Sequence, residues 1–174
     1  NPQFAQLSAD NPHHPGRIIY AVNERVRDAD GNMAHPFHIS VCTSDDNGAT
    51  WSPSPVKIYS SNNVSGCYEP FVLELPDGTV QIYFADETPY AYKEISYQNI
   101  SVIESTDGGD TWGSKRIVCY TYAQRDGMPT ATVYDGNIYV AIEACGNNVR
   151  FYPQIVYNPI SESWGKMVRE NSPY

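Results

Sequence analysis

The chain has 174 residues, a formal net charge of −9 and only 18% charged residues. A field of that sign repels nucleic-acid phosphates and anionic lipid, and no apolar run nears the roughly 18 residues of a membrane helix, so neither nucleic acid nor a membrane is expected as a partner. With 14 Tyr, 3 Trp, 5 Phe, 12 Gly and 13 Pro, the composition suits short strands and frequent turns, because rings pack on pleated surfaces while Gly and Pro set turn geometry.

Alternation of apolar and polar residues predicts strands in three groups of four. The first group is Gln3 to Ser8, a turn through Asn11-Pro12, Arg17 to Asn23, His38 to Thr43 and Val56 to Ser60. The second is Glu69 to Leu75, a tight turn at Pro76-Asp77-Gly78, Thr79 to Ala85, Asn99 to Glu104 and Arg116 to Tyr120. The third is Met128 to Tyr134, a turn at Asp135-Gly136, Asn137 to Ala144, Val149 to Tyr157 and Lys166 to Arg169.

An internal repeat punctuates the groups. Ser44-Asp45-Asp46-Asn47-Gly48-Ala49-Thr50-Trp51 and Ser105-Thr106-Asp107-Gly108-Gly109-Asp110-Thr111-Trp112 share S-x-D-x-G-x-T-W, and their starts at 44 and 105 lie 61 residues apart. This is the Asp-box pattern: the Asp accepts hydrogen bonds from its own turn, the Gly supplies a positive φ and the Trp covers the strand ends. These Asp residues are therefore structural. A worn third copy runs from Asn158 to Trp164. Four-stranded units at this spacing predict an all-β fold, a β-propeller with blades at about 1–62, 66–122 and 125–174. A closed ring takes roughly four to eight blades, so three leave two apolar faces in water. The remaining blades, whether a second chain, a missing segment or another copy, are thus an expected partner.

Cysteines stand at 42, 67, 119 and 145 without a CxxC pair, and no His falls at metal-ligand spacing, so no metal or other cofactor is expected. Four Cys allow three disulfide pairings. Cys42 and Cys119 fall inside strands, where free buried thiols are the plainer expectation. The opening Asn1-Pro2 resembles a processed start, and the sequons Asn63-Val64-Ser65 and Asn99-Ile100-Ser101 fit a secreted or extracellular chain.

Strand order assigns residues to faces. The Asp46 and Asp107 turns fall at one end of the sheets, the bottom. The starts of first strands and the ends of second strands gather at the top. Glu24, Glu69, Asp86, Glu87, Asp126 and Glu143 belong there with Arg125, and Arg25, Arg27 and Lys93 are near in sequence. Glycoside hydrolysis needs two carboxyls, one ionised and one protonated. Exposed loop carboxylates are usually solvated surface, but Glu69 opens and Glu143 closes a strongly apolar strand, surroundings that can raise a carboxyl pKa. Glu74, Asp77 and Glu104 read as structural. Tyr68, Tyr90, Tyr92 and Tyr97 either stack on sugar or pack between blades. His13, His14, His35 and His38 show no nucleophile partner, and G-x-S-x-G is absent.

The two Asp boxes are similar to those of sialidases. The stretch Tyr68-Glu69-Pro70-Phe71-Val72-Leu73-Glu74-Leu75-Pro76-Asp77-Gly78, with Arg125-Asp126-Gly127-Met128-Pro129 and Val140-Ala141-Ile142-Glu143, resembles glycoside hydrolase family 93. That resemblance implies half of a six-bladed ring and a retaining exo-α-1,5-L-arabinanase that releases arabinobiose from non-reducing ends. It implies Glu69 as nucleophile, Glu143 as acid/base, and Arg125 and Asp126 as substrate contacts. Tyr68, Glu87 and Glu24 complete the expected substrate-binding set, and Arg125 is the natural group to keep Glu69 ionised. Tyr68 stands where many relatives carry Trp. A sialidase is the nearest enzymatic alternative, although no F-R-I-P segment or arginine triad is visible, and a non-catalytic sugar-binding propeller is the alternative of another class.

Overall fold

Local turn chemistry makes each meander. At Pro76-Asp77-Gly78, Gly78 takes φ +86°, its amide reaches the Leu75 carbonyl at 2.9 Å, and Asp77 Oδ1 accepts from the Thr79 amide at 2.9 Å. The strands on either side are thereby held in antiparallel register. A computed structural model of the chain describes residues 2–90, 97–120, 124–145 and 151–166. The first sheet is β1 (Gln3–Gln6), β2 (Ile18–Arg27), β3 (Met33–Ser44) and β4 (Val56–Ser60), in that spatial order. The second is β5 (Cys67–Glu74), β6 (Val80–Asp86), β7 (Asn99–Ser105) and β8 (Arg116–Cys119). The third contains β9 (Gly127–Tyr134), β10 (Asn137–Cys145) and β11 (Phe151–Pro159). Its expected fourth strand, Lys166 to Arg169, lies outside the described residues except for Lys166, as do Tyr92 and Lys93. β11 ends two residues later than expected, because Asn158-Pro159 of the worn turn pairs with Ile138 and Asn137, and the expected start at Val149 lies outside the described residues.

The middle blade is packed on both faces. Ile82, Phe84 and Ile103 meet Ile19, Ala21, Ile39 and Val41 of the first blade. Tyr83, Ala85, Ile100 and Val102 meet Ile138, Val140, Ile142 and Val156 of the third. Burying each such aliphatic side chain stabilises the fold by about 1.5–3 kcal/mol. The outer flanks stay open, as the blade arithmetic requires. Phe4, at 60% exposure, packs its ring at a tilt against Tyr20 and Trp51 on the first blade, while Tyr134, at 72%, shares the far face of the third with Phe151, Ile155 and Tyr157.

Pairing confirms the two ends. Ser105 opposes Val80 at the bottom, whereas Cys67 and Asn99 both oppose Asp86 at the top. At the bottom, Asp46 accepts from Ser44 Oγ, the Thr50 amide and Thr50 Oγ1 at 2.6–2.8 Å, and Gly48 sits at φ +84°. Asp107 repeats this with Ser105 and Thr111. The Thr50 hydroxyl and amide lower the Asp46 pKa to about 2. Buried Arg17 joins the two turns: Nε and NH2 reach Asp45 at 2.7 and 2.9 Å, and NH1 reaches Asp110 at 2.6 Å. In the worn copy Asn158 Oδ1 accepts from the Trp164 amide at 2.9 Å, and the fully buried Trp164 donates to Tyr83 OH at 2.8 Å.

None of the four cysteines is in a disulfide, so none of the three pairings is formed. Cys119 is buried as expected. Cys42 is only half-buried, because the strand alternation turns it to the first blade's open flank. Burial, and then Asp86, push the Cys67 thiol up to about 12.

Candidate active site

Proline near the start of a first strand sets the site's backbone. In β5, Tyr68 pairs with Ala85 and Phe71 with Tyr83, so Glu69-Pro70 opposes Phe84 alone. In β9, Gly127 pairs with Glu143 and Thr130 with Ala141, so Met128-Pro129 opposes Ile142 alone. Two residues facing one is a β-bulge, and Pro, with no amide to give the ladder, belongs there. Glu69 and Met128 take φ of +59° and +51°. A positive φ costs a non-glycine residue about 1–2 kcal/mol, strain that the surrounding packing must sustain. The same distortion thus occurs at equivalent places in neighbouring blades.

The bulges face each other and are bonded. The Met128 amide donates to Glu69 Oε2 at 2.6 Å. Gly127 has no side chain, and one there would meet Gln98 Nε2 at 2.6 Å and Glu69 Oε2 at 3.2 Å. Gly127 is also the register partner of Glu143. Glu69 therefore flanks the Gly127-Met128 segment on one side, and Glu143 lies beside it on the next strand. Glu143 lines a cleft of about 310 Å³ with Met128, Thr130, Ala141, Phe151 and Tyr152. Its side chain is exposed on the face turned away from the middle blade, so the low-dielectric surroundings expected from its apolar strand are not found here. Those apolar neighbours, Ile142 and Ala144, point the other way.

A second cluster adjoins the first. Arg125 NH1 pairs with Glu87 Oε1 at 3.1 Å, so the charge expected to serve Glu69 is engaged with Glu87. Glu87 Oε2 accepts from Tyr68 OH at 3.1 Å and from the Gly66 amide at 2.9 Å. Burial, then the Glu87 charge, push the Tyr68 hydroxyl up to about 12. The Arg25 guanidinium lies 5.2 Å from the centre of the Tyr68 ring, and Phe37 meets that ring edge-on. One face of the expected sugar-stacking ring is thus occupied by Arg25.

Other expected members sit elsewhere. Glu24 accepts from Ser40 Oγ at 2.7 Å and lies 3.9 Å from Lys57, on the first blade's open flank. Asp126 is 1% exposed, beneath the surface, with its amide bonded to the Gln98 carbonyl at 3.1 Å. Asp86 is fully buried, accepts from Tyr59 OH and the Thr88 amide, and pairs with Lys115. Tyr90 stacks on Tyr120 at 5.5 Å and meets Tyr97 edge-on, so its ring packs within the middle blade rather than between blades. Glu74 and Glu104 are structural as expected. Glu74 takes bonds from Ser8 and Asn11 of the first blade. Burial draws Glu104 upward, but bonds from Arg116, Gln81 and Ser163 outweigh it and hold the carboxyl below its usual range. Gln98 was not anticipated, and only its buried position reveals it.

No family model and no curated sequence matches the chain. Solved structures do. A Penicillium chrysogenum α-L-arabinanase complexed with arabinobiose superposes with TM-score 0.67 at 21% identity, covering 90% of this chain and 45% of that one. A Fusarium graminearum α-L-arabinofuranosidase with an iminosugar inhibitor gives 0.68 at 20% identity and the same coverage; the enzyme's arabinobiose complex is described as family 93. A Streptococcus pneumoniae sialidase gives 0.59 at 20% identity, covering 95% of this chain and 22% of that one. The chain spans about half the length of the arabinanase and arabinofuranosidase chains it matches. Three consecutive antiparallel sheets with these neighbours make the chain a partial β-propeller with the fold of family-93 and sialidase-like glycoside hydrolases.

Proposed function

We propose that this chain carries the catalytic carboxyls of a retaining exo-α-1,5-L-arabinanase, completed by further blades on its two open flanks and working outside the cell. The observation that carries this reading is the Gly127-Met128 segment, which brings Glu69 and Glu143 to its two sides. Retention needs one carboxylate to attack and one carboxyl to give and take a proton. Glu69, oriented by the Met128 amide, attacks the anomeric carbon. The glycosidic C–O bond breaks, and Glu143 passes its proton to the departing oxygen. In the second half, Glu143 takes a proton from water, the water oxygen bonds to the anomeric carbon, and Glu69 departs as carboxylate. Tyr68, Glu87 and Arg125 form the neighbouring wall that contacts substrate.

The test is Glu69→Gln in the completed propeller, which keeps shape and removes the nucleophile. Turnover of arabino-oligosaccharides should fall by about a thousandfold or more. With an activated aryl arabinoside, Glu143→Ala should spare the glycosylation step, because a good leaving group needs little protonation. Near wild-type turnover in Glu69→Gln would remove Glu69 as the nucleophile, and binding of arabino-oligosaccharides without turnover by the unsubstituted propeller would replace the reading with a sugar-binding one.

A further inference from the structure

Gln98 stands just ahead of β7 and is 2% exposed, yet its Oε1 has no hydrogen-bond partner. A buried amide oxygen left in that state calls for an explanation, because it has given up water and received nothing in return. The backbone shows why the residue is held there. The Gln98 amide donates to the Gln124 carbonyl at 3.3 Å, its carbonyl accepts from the Asp126 amide at 3.1 Å, and it forms a parallel bridge with Arg125. These bonds fix Gln98 against the segment that leads into β9.

From that anchor the side chain runs beneath Gly127. The point where a Cβ of residue 127 would sit is 2.6 Å from Gln98 Nε2 and 3.2 Å from Glu69 Oε2. The missing side chain lets a carboxamide and a carboxylate close on one spot from two sides, while the Met128 amide holds the same Glu69 oxygen at 2.6 Å. The charged groups around them are Glu143 on β10, the buried Asp126, and Arg125 paired with Glu87. An amide suits this place where other side chains of its size do not. It carries no charge to repel Glu69, and it offers a dipole that a hydrocarbon lacks.

We infer that Gln98 is a positioning residue for the reaction, filling the space under Gly127 and keeping the Glu69 carboxylate against the Met128 amide in the orientation attack requires. The inference rests on the reading of Glu69 as nucleophile. Its test uses Q98E, which keeps the volume and adds a charge, and Q98M, which keeps the length and removes the dipole. The Glu69 carboxyl is titrated by carbon-13 NMR in each variant of the intact protein, and kcat and KM for arabino-oligosaccharides are measured across pH.

In Q98E the Glu69 midpoint should rise by about one unit, and the acid limb of kcat/KM should rise with it, since a second carboxylate disfavours the ionised form. In Q98M kcat should fall about tenfold with KM within about twofold, because the loss falls on the reacting geometry rather than on binding. A Glu69 midpoint that stays put in both variants, or a Q98M enzyme with wild-type kcat, would overturn the inference. The Glu69→Gln turnover assay judges the function separately. Loss of that reading leaves the NMR result intact, and an unmoved midpoint leaves the nucleophile assignment intact.

Discussion

At the bottom of the sheets, Asp46 draws its partners from Ser44 and Thr50, all within one turn. At the top, Glu69 is held by Met128, 59 residues away, and Glu87 by Arg125, 38 residues away. The bottom turns are built from their own sequence and recur because the sequence recurs. The top is assembled across blades, so its geometry exists only once the blades have packed. Turn geometry at the bottom is thus set before the blades meet, whereas the geometry of the proposed site is set by their meeting.

That contrast has measurable consequences, the largest at the top. Glu143 is exposed and lines an open cleft. Glu143→Gln should cost about a thousandfold in turnover of natural substrate while leaving the melting temperature within about one degree, since general acid–base groups contribute ~10²–10⁴ in rate and an exposed side chain contributes little packing. A large fall in melting temperature would break the contrast. The worn turn supplies the opposite case. Trp164→Ala removes a fully buried ring and its bond to Tyr83, and should destabilise the chain by about 3–5 kcal/mol in denaturant unfolding. Loss of less than about 1 kcal/mol would show that this region is not the second packed interface it resembles.

Arg17→Met separates the first two turns without emptying a core. Arg17 is buried but its partners Asp45 and Asp110 are more than half exposed, so water takes over their charges and the loss should be about 1–2 kcal/mol. Unchanged stability would mean that the turns need no bridge. The smallest effect is acid dependence. The folded-state pKa of Asp46 is about 2 against an ordinary 3.8. Its contribution is thus present above pH 3.8 and is lost as pH falls toward 2. Asp45, Asp107 and Asp110 shift in the same direction. The melting temperature should drop across that window, and Asp46→Asn should flatten the drop; an equally steep drop in the variant would assign it to other groups.

Much of the fold was legible because it is local. Val56 to Ser60 was read as the strand observed, and Gly78 and Gly109 announce their turns by type. The bulges had a weaker signal, the prolines at 70 and 129, which hint at a broken ladder but not at a positive φ one residue earlier. Glu69 and Glu143 stood out by their place on apolar strands. Alternation decides which way a side chain points, but not whether another blade covers it, and Glu143 proved exposed for that reason. Glu24 looked equivalent in strand position, yet its alternation turns it toward Ser40 and Lys57. Gln98 left no trace in the sequence, because its importance comes from a glycine 29 residues later that the fold sets above it.

The Arg17 bridge also constrains motion. It fastens the first two blades at one end of their shared face, and at the other end Tyr59 OH of the first blade donates to the Asp86 carboxylate of the second at 3.0 Å while Asn23 donates to the Cys67 carbonyl at 2.6 Å. Two blades pinned at both ends of a shared face move as one body. The rim where Tyr68 and Arg25 meet therefore keeps its width, because rocking the first blade against the second would break a charge-assisted tie at the bottom or at the top.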